Sequence, residues 1–236
     1  MKIKTILFFI SISFISGVSI FSQVDLIQKG LQLNKEGKID SAIFYFNKAE
    51  KINPGNNQLY FYIGNSYFDL ENYSKAIENY TKAIELKNSD LNSYYNRASA
   101  YSLLNKIDQA IADYDYIISI EKTNENAFFE RGILLKKSNK LDIALNDFIS
   151  ALSINPKFEL AFFEIGNIYF KQAKYLNAII NYDKAIELDN TSVDFYFNRA
   201  ICEYNLGFKE DACADFKNAQ DLGDTEVKQY IDELCK

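Results

Sequence analysis

The chain has no histidine. That removes the usual general base at neutral pH and the commonest metal ligand, and with them the Ser-His, Cys-His and zinc-histidine enzymes. Proline and glycine are scarce, with 2 and 9 residues in 236, which argues against a turn-rich sandwich or barrel and for a mostly helical chain. There is no phosphate-cradling glycine loop, nucleophile elbow or metal motif, so no enzymatic activity, cofactor or metal is expected. Basic residues are outnumbered, 26 against 32, and form no stripe, so a nucleic-acid partner is not expected. Cysteine is limited to Cys202, Cys213 and Cys235, all near the end and without paired C-x-x-C spacing.

Apolar residues are plentiful, at 48%, enough to bury a large core. The first residues, MKIKTILFFISISFISGVSIFSQ, join two lysines to an apolar run and a small residue, Ser22. This pattern predicts a secretory signal peptide over residues 1–22 and export to the periplasm, cell surface or medium of a bacterium. The alternative is an uncleaved anchor, for which the run is short and diluted by Ser and Gly. No cysteine follows it, so a lipid anchor is not supported. Without Lys2 and Lys4 the remaining chain carries a net charge of −8.

The strongest signal is a 34-residue period. YYNRA at 94–98 returns as YFNRA at 196–200 and more loosely as FFERG at 128–132. Starting at Gln23, six units follow without insertion: 23–56, 57–90, 91–124, 125–158, 159–192 and 193–226. Position 20 is Ala42, Ala76, Ala110, Ala144, Ala178 and Ala212; position 8 is Gly30, Gly64, Ala98, Gly132, Gly166 and Ala200; position 24 is always Phe or Tyr. Apolar residues at positions 4, 8 and 11 and at 20, 24 and 27 predict two amphipathic helices per unit, with small residues where the two backbones approach. Gly37, Asn105, Asn139 and Gly207 mark the turns, and Pro54 and Pro156 stop second helices.

These columns resemble the tetratricopeptide repeat family, over residues 23–226. The resemblance implies an all-α fold: a right-handed superhelical solenoid of six tandem helix-turn-helix repeats. A capping helix over 227–236, with Val227, Tyr230, Ile231 and Leu234 on one side, would close its end. Four positions depart from the family pattern: Ile117, Glu203, Lys122 and Asp224. Looser packing is expected around Glu203.

Position 7 carries arginine in three units, Arg97, Arg131 and Arg199, and each comes with aspartate at position 23: Asp113, Asp147 and Asp215. Where position 7 is Ile63 or Ile165, position 23 is Asn79 or Asn181. A structural ion pair between the two helices of a hairpin is the simplest account.

In the resembled family the inner groove is lined by positions 2, 5, 9, 12 and 13. Position 5 is Phe61, Tyr95, Phe129, Phe163 and Phe197, after Ile27, and either contacts a partner or packs the helices. Asn65 and Asn167 at position 9 offer donor and acceptor pairs to an extended peptide, and Lys136, Lys137 and Lys171 add positive charge. No unit has lysine at position 5, which excludes a carboxylate clamp of the chaperone-tail-binding kind. The resemblance thus implies a non-catalytic scaffold for a protein or peptide. The alternative is a structural envelope component associating through its ends or convex face.

Cys213 stands at position 21, elsewhere Ile or Leu, a column that should face the following helix. A Cys213–Cys235 disulfide is therefore expected, as plausible in an exported protein, with Cys202–Cys213, Cys202–Cys235 and three thiols as alternatives.

Overall fold

The computed structural model describes residues 22–235. The expected signal peptide lies outside the described residues, apart from Ser22. Among the described residues there are helices and turns but no strand. The helices are α1 (22–35), α2 (Ile39–Ile52), α3 (Asn57–Asp69), α4 (Tyr73–Leu86), α5 (Leu91–Leu103), α6 (Ile107–Ile120) and α7 (Glu125–Lys137). They continue as α8 (Leu141–Ile154), α9 (Glu159–Lys171), α10 (Tyr175–Leu188), α11 (Val193–Leu206), α12 (Lys209–Asp221) and α13 (Lys228–Leu234). No described helix is long and apolar enough to cross a membrane.

The chain divides into two compact units between Ile117 and Ile118, within α6. In the first, α3 packs on α4 as a hairpin, α2 packs on α3 and α4 on α5. In the second, the hairpins α7–α8, α9–α10 and α11–α12 follow, each leaning on the next, and α13 packs on α12. Each helix therefore buries its stripe against neighbours in sequence, the economy of a repeat array.

The small columns explain how closely the hairpins close. All six alanines of position 20 are fully buried. A β-carbon added to Gly64 would stand 2.5 Å from Cε1 of Tyr80, so glycine lets the position-24 ring lie flat on the facing backbone. Every hairpin also turns through a left-handed residue at position 15: Gly37, Glu71, Asn105, Asn139, Ala173 and Gly207 have φ between 56° and 83°. The N–H groups that follow satisfy the helix ends, as Glu71 N–H donates to Phe68 O at 2.8 Å and Asn72 N–H to Tyr67 O at 2.8 Å. Side chains cap several starts: Asn56 accepts from Gln58 and Leu59 N–H, and Asn124 from Ala127 N–H.

At the end of the second unit Val227 is fully buried, and Tyr230 stacks on Phe216 at 5.5 Å and meets Phe197 edge-on at 5.2 Å. Glu203 is not loosely packed. It is 8% exposed, with Oε2 lacking a hydrogen-bond partner and Oε1 3.9 Å from Arg199 Nε. Burial first, then the charge of Asp215, pushes its carboxyl up to about 7, against the opposing pull of Arg199.

Candidate partner-binding face

The first helices of the hairpins carry the residues singled out above. In the first unit, Phe61 on α3 lies 6.1 Å from Tyr80, and Tyr95 on α5 meets Tyr114 edge-on at 5.5 Å. In the second, Phe129 lies between Phe148 (5.6 Å) and Phe158 (4.7 Å), and Phe163 between Tyr182 (5.7 Å) and Phe195 (4.8 Å). Phe197 sits between Phe216 (5.9 Å) and Tyr230 (5.2 Å). All five rings are half-buried. Each one fills its own hairpin and leaves an edge in solvent, so packing and contact are not exclusive roles.

The asparagines are partly committed. Asn65 Oδ1 accepts from Tyr80 Oη at 2.8 Å and from Asn96 Nδ2 at 2.9 Å. Asn167 Oδ1 accepts from Tyr182 Oη at 2.9 Å and Asn198 Nδ2 at 3.3 Å, and its Nδ2 donates to Glu164 Oε2 at 3.3 Å. Burial pushes the Tyr80 and Tyr182 phenols well above their ordinary value, so both remain donors. This amide–phenol–amide frame was missed in the sequence, although the signal is there. Tyr80, Tyr114 and Tyr182 at position 24 come with polar Asn65, Ser99 and Asn167 at position 9, whereas Phe46, Phe148 and Phe216 come with Leu31, Ile133 and Ile201. A buried hydroxyl demands a partner, and a ring without one does not.

The positive zone is smaller than its lysine count. Lys136 is paired with Glu164, Lys171 Nζ donates to Asn139 Oδ1 at 2.8 Å, and Lys137 is exposed.

The arginines bind as forks. Arg97 Nε and Nη2 donate to Asp113 at 2.9 and 2.7 Å; Arg131 does the same to Asp147 at 2.8 and 2.7 Å, and Arg199 to Asp215 at 2.6 and 2.9 Å. A third arm was not foreseen. Arg97 Nη1 reaches Thr81 at 3.0 Å, and Arg199 Nη1 reaches Asp183 at 2.6 Å, each in the preceding repeat. These two arginines therefore tie a hairpin together and tie it to the one before. Burial raises the Asp113 carboxyl from its ordinary value, and the Arg97 hydrogen bonds only partly offset this. Cys213 and Cys235 are joined, with S–S at 2.00 Å and Cα–Cα at 5.6 Å, and Cys202 is free and buried.

Hairpins stacked in sequence order, with aromatic edges and amides on their first helices, define an α-solenoid of helical repeats. Family models agree on which one. The model described as TPR repeat matches residues 64–105 and 166–207, and that described as Tetratricopeptide repeat matches 26–56 and 91–124, together more than half of the chain. The chain belongs to the tetratricopeptide repeat family. No curated protein matches it significantly. Solved structures do. MamA is 25% identical, with a TM-score of 0.65 over 68% of this chain and 94% of its own. YrrB, described as a TPR protein with an unusual peptide-binding site, is 21% identical, with a TM-score of 0.65 over 80% of this chain and 98% of its own. PilW, described as a widely conserved type IV pilus biogenesis factor, is 18% identical, with a TM-score of 0.73 over 89% of this chain and 98% of its own.

Proposed function

We propose that the protein is a non-catalytic scaffold, exported to the bacterial envelope, that holds an extended segment of a protein partner against its first-helix faces. The observation that carries this reading is the recurrence of half-buried aromatic edges at one position of the first helices, Phe61 and Tyr95 in the first unit and Phe129 and Phe163 in the second, with the amide of Asn65, whose Nδ2 donates to no described residue, one turn beyond Phe61. Aromatic edges supply contact area at low entropic cost, and free amides pair with a peptide backbone. The peptide-binding site of YrrB supports the binding mode, and the pilus role of PilW and the Cys213–Cys235 pair support the envelope.

Since the rings are also core, alanine would cut cavities of several kcal/mol, whereas Phe129→Leu and Phe163→Leu keep most of the volume. These variants should fold as judged by circular dichroism and lose partner capture from an envelope extract. Undiminished capture places the interface elsewhere. A second reading, association through the second helices, is favoured by Ile143 and Ile149 on α8 and Leu176 and Ile180 on α10, which are 52%, 50%, 57% and 60% exposed. Loss of capture in Ile149→Asp and Ile180→Asp, with the leucine variants unaffected, would select it.

A further inference from the structure

The first unit holds a cleft of 270 Å³ lined by Asn65, Phe68, Asp69, Tyr80, Asn96 and Ser99. That is small for a metabolite and suits one side chain of a longer ligand. We propose that this cleft is a subsite for a basic side chain, a lysine or arginine of the bound segment, with Asp69 as its counter-charge. The proposal rests on the peptide-holding reading above.

Three independent observations point to this ligand. The first is the hydrogen-bond inventory. Asn65 Oδ1 is taken by Tyr80 and Asn96, so the amide of Asn96 is oriented with Nδ2 inward and its own Oδ1 uncommitted. Ser99 Oγ spends its proton on Tyr95 O at 3.1 Å, so toward a ligand it can only accept. Asp69 is exposed, accepts no hydrogen bond and makes no ion pair with any described residue. Asp69, Asn96 Oδ1 and Ser99 Oγ thus outnumber the one uncommitted donor, Asn65 Nδ2, and a guanidinium or ammonium group brings donors only. Phe68 adds an aromatic wall beside which a cation is favoured.

The second observation is where the carboxylate stands. Asp69 is the last residue of α3, at the negative end of the helix, with no lysine or arginine in the last turn. A carboxylate there opposes the helix dipole and gains no hydrogen bond or ion pair from a described residue in return, which leaves it available to a cation from outside the fold.

The third is the comparison the chain makes with itself. The same frame recurs 102 residues on, in the second unit, as Asn167, Tyr182 and Asn198, with Phe170 for Phe68. There the residue matching Asp69 is Lys171, at the end of α9, where a cation suits the dipole and Asn139 accepts its hydrogen bond. The frame is kept and the charge is inverted. Position 13 therefore sets which charge a cleft of this design accepts.

A random peptide library displayed against the purified chain tests this, with Asp69→Lys and Asp69→Asn selected in parallel and the Phe61→Leu, Tyr95→Leu variant as background. Both substitutions at Asp69 suit a helix end and should leave the fold intact. The wild type should enrich peptides carrying lysine or arginine, and Asp69→Lys should lose that enrichment. For one enriched peptide, Asp69→Asn should weaken binding about fivefold, and exchanging the basic residue for glutamine should then weaken it no further. Enriched peptides without a basic excess, or the same excess in Asp69→Lys, overturn the subsite and leave the peptide-holding reading standing. No enrichment above background overturns both.

Discussion

Breaking the Arg97–Asp113 fork should cost more than its surface neighbours suggest, and repairing it with the chain's own alternative should cost almost nothing. In Asp113→Ala the guanidinium of Arg97, 15% exposed, loses both bonds to a carboxylate that is 7% exposed, and keeps only Thr81. Removing one partner of a buried pair costs about 3–5 kcal/mol, and residual exposure and the Thr81 bond reduce this to about 2–4 kcal/mol. For a chain of this length that is about 5–15 °C in melting temperature. The double variant Arg97→Ile, Asp113→Asn instead copies the pairs Ile63/Asn79 and Ile165/Asn181. In those repeats the asparagine is satisfied within its own helix, Asn79 Nδ2 donating to Lys75 O and Asn181 Nδ2 to Asn177 O, both at 2.8 Å. It should lie within about 1 kcal/mol of wild type, since desolvation offsets most of what a buried pair returns. Thermal melts followed by circular dichroism decide the matter. A single variant as stable as wild type, or a double variant as damaged as the single, would refute the reasoning.

Three further outcomes follow from the same geometry. Glu203 has a carboxyl raised to about 7, so its protonated form stabilises the folded state fully below about pH 4.5, and this contribution is lost as pH rises through about 7. Glu203→Gln should therefore stabilise the chain at pH 8 by up to about 3 kcal/mol and leave it unchanged near pH 4, as melts across that range would report. Ala173 sits at φ 57°, where a β-carbon is strained, so Ala173→Gly should raise stability by about 1 kcal/mol in denaturant titrations, against the usual penalty for glycine near a helix. Cys213 and Cys235 close a loop 22 residues apart, and Cys235→Ser should destabilise the last repeat by roughly 3 kcal/mol and open α13 to protease. An unchanged digestion pattern would mean that the bond does not hold the cap.

The hairpins were legible in the sequence because a 34-residue period places the same physical demand in the same column six times. Ala at position 20 and Gly or Ala at position 8 can only mean close backbones. The fork of Arg97 on Asp113 was legible because the pair varies together. Its third arm to Thr81 was not, since that contact joins different columns of different repeats. Nor was the turn at Glu71 and Ala173, where the hairpin imposes a left-handed residue on side chains that do not prefer it. The face was half legible. Columns identify Phe129 and Phe163 as first-helix residues, but not that Phe129 meets Phe158, the last residue of its own repeat at the cap of α9, or that Phe163 meets Phe195 of the next repeat. Likewise the presence of Lys136 does not reveal that Glu164, in the next repeat, pairs with it.

Hydrogen exchange of the chain with and without a bound peptide tests the central claim most directly. Slowed exchange on the first helices within a unit, α3 and α5 or α7 and α9, with the second helices unchanged, is the result expected of a chain that holds its partner along the first-helix faces. Protection confined to α8 and α10 would contradict it.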